Sequence, residues 1–343
     1  MLPVVASQPR TESSNIPRSS PFLQTYDIFS GQHVSRQALT RNLATTINIG
    51  PEGIKLSEPD TKLMQLSPDG EWLATVDEWQ PPKLDVEFLT TEEAQQQRDE
   101  QDLRREVYLR FWRWHADASE WGLVTRIDDT HLTRHGSRPG RILDLVADPS
   151  GTGFATTGED GFVRVWRPKT RLRDGRTVRG TKGEGLVNWS QAWEFEAERQ
   201  VEALEADADV AVGTLPTNAK LAWSLDGSLI AASFEVTGRS SGNIEFIDAF
   251  TGTLKASRPG WYGTGLCALG LVDRYLVILS DELYVWDVVN DKLSYAFAIE
   301  YPLNLKREHK AQMAHLAVDQ MHGTFAIAVP ERKNPSRMAS TVI

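Results

Sequence analysis

Apolar and polar residues alternate in short runs along the chain, and the runs come in pairs around a turn. Leu63-Met64-Gln65-Leu66 leads into Ser67-Pro68-Asp69-Gly70, and Trp72-Leu73-Ala74-Thr75-Val76 follows. The period of two predicts strands, and the Pro-Asp-Gly punctuation predicts a hairpin between them. The unit returns as Ile142–Ala147 before Gly153–Thr157, as Leu221–Trp223 before Ser228–Ser233, and between Met313 and Val329 around Asp319–Gly323. A third strand rich in β-branched and aromatic residues comes next at Tyr108–Trp114, Phe162–Trp166, Asn243–Asp248 and Leu283–Asp287. Fourth strands are expected at Glu120–Ile127, Trp189–Phe195, Gly252–Ser257 and Lys292–Ala298, each after a polar or Gly-bearing turn.

Four short strands recurring at this spacing are the blade of an all-β propeller of WD-repeat type, whose radial packing protects sheet edges. The pattern predicts about five to six blades, part of a seven-bladed ring and together a single domain over residues 1–343. Three outer strands of one blade are expected within residues 1–39, full blades near 60–128, 138–196, 217–258 and 264–300, and a partial one from 312. The terminal Met338–Ile343 run reads as a third strand cut short, which suggests a fragment of a longer polypeptide.

Three insertions, at 80–106, 168–187 and 196–216, break the spacing, and their charges differ. Residues 85–106 hold eight acidic side chains against three basic ones, consistent with a solvated helix or a disordered loop. In the third insertion Ala197, Val201, Leu204 and Ala208 recur at helical spacing, a stripe that either packs on the propeller's flank or docks a partner subunit. The second contains Lys169, Arg171, Arg173, Arg176, Arg179 and Lys182 opposed only by Asp174, with interleaved glycines. It is the candidate for RNA contact through counterion release, against the plainer reading of a solvated surface loop. It has no aromatic residue, which argues against base stacking.

A formal net charge of −10 over 343 residues opposes indiscriminate nucleic-acid binding, so any RNA contact must be local. The lone Cys267 precludes an intrachain disulfide and a Cys₄ zinc site, and points to a reducing compartment. No apolar run reaches the ~18–20 residues needed to span a bilayer, and the start lacks a secretory signal, so a soluble protein is expected. The Asn188-Trp189-Ser190 sequon then has no glycosylation context, and its Trp is assigned to a strand.

Catalytic motifs are missing: there is no P-loop, no GxSxG, no HExxH and no dinucleotide fingerprint, and the histidines lack zinc-ligand spacing. No catalytic residue, metal or cofactor is therefore expected. One polar constellation stands out, at Gly158-Glu159-Asp160-Gly161-Phe162-Val163-Arg164-Val165-Trp166. Asp160, Trp166, Thr156 and His135 are candidates for the buried hydrogen-bond network of a WD blade, a structural role. The blade ending in Trp286-Asp287 is degenerate, because Ser280-Asp281-Glu282 is one residue short of the Asp160 spacing.

Taken in order, several stretches resemble one family. They are Leu73–Asp77 with Tyr108–Trp112, Phe154–Trp166, Asp226–Glu235, and Leu276–Ser280 through Val285–Asp287. The chain resembles the second propeller of the nucleolar WD-repeat subunit of the UtpA (t-UTP) subcomplex, the WD repeat-containing protein 75 family, over most of residues 20–330. The resemblance implies a scaffold of the small-subunit processome in the nucleolus, holding other processome subunits and the 5′ external transcribed spacer of pre-rRNA, and linked to rDNA transcription. A generic WD-repeat adaptor for another complex is the alternative. Neither the basic nor the acidic insertions match a family motif.

Overall fold

The structure is a computed structural model and describes residues 2–6, 22–39, 58–82, 94–133, 138–180, 183–197, 215–236, 241–302, 310–311, 313–330 and 338–342. Strands dominate it. The first sheet joins β1 (Leu2–Ala6), β2 (Phe22–Tyr26) and β3 (His33–Ala38) in that order. The next joins β4 (Asp60–Leu66), β5 (Trp72–Trp79), β6 (Glu106–His115) and β7 (Glu120–Asp128), with helix α1 (Ala94–Leu103) between β5 and β6. A short hairpin, β8 (Leu132–Thr133) and β9 (Arg138–Pro139), follows.

The third sheet holds β10 (Ile142–Ala147), β11 (Phe154–Gly158), β12 (Phe162–Thr170) and β15 (Val187–Glu196), interrupted by the hairpin β13 (Leu172–Arg173) and β14 (Arg176–Thr177). Two more four-stranded sheets follow: β16 (Pro216–Trp223), β17 (Leu229–Val236), β18 (Gly242–Asp248) and β19 (Leu254–Tyr262), then β20 (Ala268–Val272), β21 (Tyr275–Leu279), β22 (Glu282–Asp287) and β23 (Lys292–Ala298). The last described sheet has three strands, β24 (His315–Asp319), β25 (Thr324–Pro330) and β26 (Met338–Val342). Every sheet runs in sequence order, and the mapped strand pairs are antiparallel, which is the meander of propeller blades. The fold class is thus a WD-repeat β-propeller. Among the described residues no helix is long and apolar enough to cross a membrane.

The chain divides into two compact units, residues 1–142 with 168–189, and residues 143–167 with 190–343. In the first, Leu23, Leu39, Leu73, Trp112 and Trp121 bury the space between the β1–β3 and β4–β7 sheets. Trp189 of the sequon is a residue of β15 and stacks on Phe111 of β6, with ring centroids 4.3 Å apart and planes 7° from parallel. In the second unit, each sheet contributes one face to the next. Val163 and Val165 meet Trp223 and Ile230, then Phe246 and Trp261 meet Leu276 and Ile278, then Leu279 and Leu283 meet Phe325 and Ile327. A β-bulge recurs near the end of the third strand in three blades, at Phe111/Trp112, Phe246/Ile247 and Val285/Trp286. Such a bulge sharpens the right-handed twist where the outer strand must splay.

Candidate functional site

The hydrogen-bond signature of the repeat is present in two blades and rebuilt in two others. In the sheet of β11 and β12, Trp166 stands opposite Phe154 and donates its indole N–H to Thr156 Oγ1 at 2.9 Å. The β5–β6 pair repeats the arrangement, with Trp112 donating to Thr75 at 3.0 Å. Asp160 is buried. Its carboxylate accepts the Phe162 N–H at 3.1 Å and an Arg164 N–H at 2.6 Å, so the arginine two residues before the tryptophan neutralises it. His135 lies outside the described residues, whereas His131, for which the repeat spacing carries no signal, is fully buried.

Where the tryptophan or its hydroxyl partner is missing, other groups take over. Phe246 cannot donate, and Ser233 bonds instead to the Tyr262 hydroxyl at 2.6 Å and to the Asn243 carbonyl at 2.8 Å. Tyr262 reaches it only because residue 242 is glycine, since a Cβ there would collide with the phenol ring. In the β20–β23 sheet Ile278 faces Tyr284, which leaves no hydroxyl for Trp286. Its indole donates to the Trp261 carbonyl at 2.9 Å and stacks on that ring at 4.6 Å.

The basic insertion folds as a hairpin. Asp174 and Gly175 both have positive φ, 54° and 75°, the conformation of a two-residue type I′ turn, whose twist matches flanking strands. The pairs Leu172↔Thr177 and Arg173↔Arg176 follow from that turn, and Val178 N–H donates to the Arg171 carbonyl at 2.9 Å. A third extended segment closes on the hairpin through Arg179↔Gly185, with Arg171 N–H to Leu186 O and Leu186 N–H to Val178 O both at 2.8 Å. A run rich in Arg and Gly resembles a loop because its polarity hides the Asp-Gly turn signal, and that dipeptide is the one local clue to the hairpin.

The hairpin sets the charges in a pattern. Arg173 and Arg176 are direct cross-strand neighbours, and Arg171, two positions back, shares their face at a spacing of ~6.6 Å along the strand. Lys169, Arg171, Arg173, Arg176 and Arg179 are all exposed. Among the described residues none of the five is ion-paired with a carboxylate; Arg179 instead donates to the Gly183 carbonyl at 2.7 Å. Arg173, Asp174, Arg176, Thr177 and Val178 line an open concavity of about 470 Å³. Leu172 and Thr177 occupy the opposite face. Lys182 lies outside the described residues.

The other charged insertion behaves differently. Its helical part, α1, carries Asp102, which with Glu78 of β5 receives Arg105 in a buried ion-paired cluster; Arg138 and Arg141 approach the same carboxylates at 3.8 Å and 3.5 Å. Gln80 adds a hydrogen bond to Asp102 at 3.1 Å. Asp102 of the insertion thus holds the insertion's own Arg105 and, from outside it, Arg138 against the end of the sheet. Deeper in the same blade, Arg110 meets Asp77 at 3.0 Å, and both side chains are almost fully buried. Of the apolar stripe in the third insertion only Ala197 is described, half-buried and donating its N–H to Gly161 O at 3.0 Å; Val201, Leu204 and Ala208 lie outside the described residues.

Among the described residues, no three His, Cys, Asp or Glu side chains gather where they could hold a metal ion. On the inner strands of the second unit, Asp144 accepts the Leu221 N–H at 2.8 Å and lies 3.8 Å from Lys220 Nζ; burial pushes its carboxyl above the usual range.

No family model and no curated protein matches the chain. Among solved structures it is similar to one titled as the mitotic checkpoint complex, at 9% identity over 94% of this chain and 73% of that one, with a TM-score of 0.44. It is similar to the Dos1 propeller at 9% identity over 90% of this chain, with a TM-score of 0.44. It spans 62% of that protein's chain, less than two thirds. An oligogalacturonate lyase in complex with manganese aligns at 11% identity over 90% of this chain and 70% of that one, with a TM-score of 0.48. At such distances the likenesses say nothing about function, and the fold assignment rests on the order and register of the sheets themselves.

Proposed function

We propose that this chain is a non-catalytic scaffold subunit of the small-subunit processome, of the WD repeat-containing protein 75 family. In this reading it acts in the nucleolus in early pre-rRNA processing and 40S ribosome biogenesis, alongside rDNA transcription. It needs no cofactor, because it holds partners without turning over substrate. The observation that carries the reading is the basic hairpin: a hydrogen-bonded, cation-bearing ribbon on a chain whose net charge is −10. Uncompensated guanidinium groups at that spacing suit a phosphate backbone and release its counterions on contact, while the rest of the acidic surface repels nucleic acid and keeps the contact local. The 5′ external transcribed spacer of pre-rRNA is the proposed ligand, and other UtpA subunits are the proposed protein partners.

Affinity purification of the tagged full-length protein should recover processome subunits together with precursor rRNA. Recovery of neither overturns the reading. A generic adaptor role in another multiprotein complex is the second reading, and one observation favours it. Outer strand β23 exposes Leu293, Tyr295 and Phe297, of which Tyr295 and Phe297 share a face, apolar side chains that suit protein partners of any complex. Exclusion of the protein from the nucleolus in live cells would decide for it.

A further inference from the structure

Four turns share one construction. In each, an aspartate side chain accepts the backbone N–H two residues on: Asp27 from Phe29 at 3.1 Å, Asp248 from Phe250 at 3.0 Å, Asp287 from Val289 at 3.1 Å and Asp319 from Met321 at 3.1 Å. Four residues after each aspartate the backbone is left-handed, at Gly31, Gly252, Asp291 and Gly323. This geometry holds the residue two after the aspartate at the tip of the turn, where its side chain cannot reach the core of its own sheet. Polar or small residues are the usual occupants of such turns. Here they are Phe29, Phe250, Val289 and Met321, exposed by 101%, 69%, 75% and 81%. A single exposed apolar residue needs no explanation, but recurrence at one geometrically defined position does.

Three of these tips belong to the second unit and lie at one end of it. The Gln320 side-chain amide donates to Trp223 O at 2.7 Å and to Leu271 O at 3.1 Å, which gathers the ends of β16 and β20 beside the β24–β25 turn. Ala249 N–H to Ser228 O at 2.9 Å and Val288 N–H to Arg274 O at 3.0 Å tie the two outer turns to the inner ones. Arg258 reaches the neighbouring blade's Asp291 at 3.2 Å. Leu225, 41% exposed, is on the inner turn next to that of Phe250. Beside it, Asp226 accepts the Ser224 hydroxyl at 2.6 Å and the Ser228 N–H at 3.1 Å, bonds that hold its carboxyl below the usual range. Among the described residues no side-chain cation forms an ion pair with Asp226, while the Arg274 guanidinium, 3.4 Å from Asp287, also acts on Asp273.

We propose that this end of the second unit docks a basic amphipathic segment of a protein partner. Phe250, Val289, Met321 and Leu225 receive its apolar stripe, and Asp226 and Asp273 pair with its flanking lysines or arginines. Charge selects this occupant: Asp226, with no cation beside it, and Asp273, which shares Arg274 with Asp287, repel a phosphate backbone, and they equally repel the same end of a second copy. The surface shares no residue with the basic hairpin and does not depend on the role proposed above.

The test uses the purified protein and three labelled helical peptides read by fluorescence anisotropy: a Leu/Lys amphipath, a Leu/Glu peptide with the same apolar face, and a Ser/Lys peptide with the same charge. The Leu/Lys peptide alone should bind. Phe250→Ser, Val289→Ser and Met321→Ser combined should weaken it by about tenfold or more, while Leu293→Ser, Tyr295→Ser and Phe297→Ser combined leave it unchanged. Asp226→Asn with Asp273→Asn should weaken binding by about threefold and flatten its salt dependence; Asn tolerates the left-handed backbone of position 273. Because the tips are exposed, unchanged melting temperatures certify that the variants are folded. The proposal fails if the Leu/Lys peptide does not bind, if either control peptide binds as well, or if the tip variant binds like the parent.

Discussion

Trp112 donates its indole N–H to the Thr75 hydroxyl at 3.0 Å across the two central strands of its blade, with both residues almost fully buried. The hydroxyl is the acceptor that N–H has in the core, so removing it leaves a donor stranded away from water. Thr75→Val keeps the shape and removes the acceptor, which should cost ~1–3 kcal/mol in urea unfolding. Thr156→Val should match it, since Trp166 makes the same bond at 2.9 Å. Trp286→Phe should cost less for its missing hydrogen bond, because the acceptor there is a backbone carbonyl and the indole is only half-buried. Equal losses at all three positions would show that the hydroxyl partner has no special weight.

Arg110 and Asp77 form a buried ion pair at 3.0 Å, with Thr61 donating to the carboxylate at 2.6 Å. Burial pushes the Asp77 carboxyl up and the Arg110 guanidinium down, so desolvation outweighs the attraction between them. Removing one partner strands the other charge, and Arg110→Met or Asp77→Leu alone should destabilise by ~3–5 kcal/mol. The double variant should recover most of that loss. A double variant that stays as far below wild type as the single ones would mean that the pair is a net source of stability.

These two relationships mark what the sequence discloses and what it hides. Trp166 and Thr156 are legible because the turn residues around Asp160 fix their register, and the four-strand units are legible from period-two runs punctuated by Pro, Asp and Gly. Tyr262 bonding Ser233 is not, because a residue at the end of β19 fills the place of a missing third-strand tryptophan, a substitution in space with no trace in spacing. Asp77 and Arg110 read as ordinary strand charges, since burial of a charged residue depends on what neighbouring blades and insertions cover. The basic segment's composition is plain while its hairpin is not, for its strands are only two residues long and hold no apolar alternation. The apolar turn tips escape notice for a similar reason: Phe250 and Val289 look like core residues until the Asx geometry places them outside.

The hairpin makes a prediction that separates charge from shape. Replacing Arg171, Arg173, Arg176 and Arg179 with Glu should weaken RNA crosslinking and reduce the salt slope of binding by ~0.7 for each single-strand phosphate no longer neutralised. Gly175→Val leaves every charge in place but forces a β-branched residue into a backbone with φ of 75°. If the ribbon geometry aligns the guanidinium groups, this variant should also bind more weakly while retaining most of the salt dependence. Unchanged crosslinking in the four-site variant would remove RNA from the hairpin altogether.

Cys267 supplies the clearest dependence on pH. It is buried, its Sγ lies 3.3 Å from Gly265 O, and burial pushes the thiol up from its usual 9.0 to about 11. The folded state therefore disfavours the thiolate. Its contribution is fully present below pH ~9 and is lost as pH rises from there through 11, where the unfolded chain ionises first. A two-unit shift corresponds to at most ~1–3 kcal/mol. Tyr301, whose hydroxyl donates to Ser280 O at 3.0 Å, is raised as well, so wild-type unfolding alone would mix the two groups. The difference in unfolding free energy between wild type and Cys267→Ala isolates the thiol. That difference should be flat to about pH 9 and then shrink toward pH 11, and below pH 9 the folded thiol should resist iodoacetamide. A difference that stays constant across this range, or rapid alkylation of the folded protein at neutral pH, would place Cys267 in an exposed and unperturbed setting.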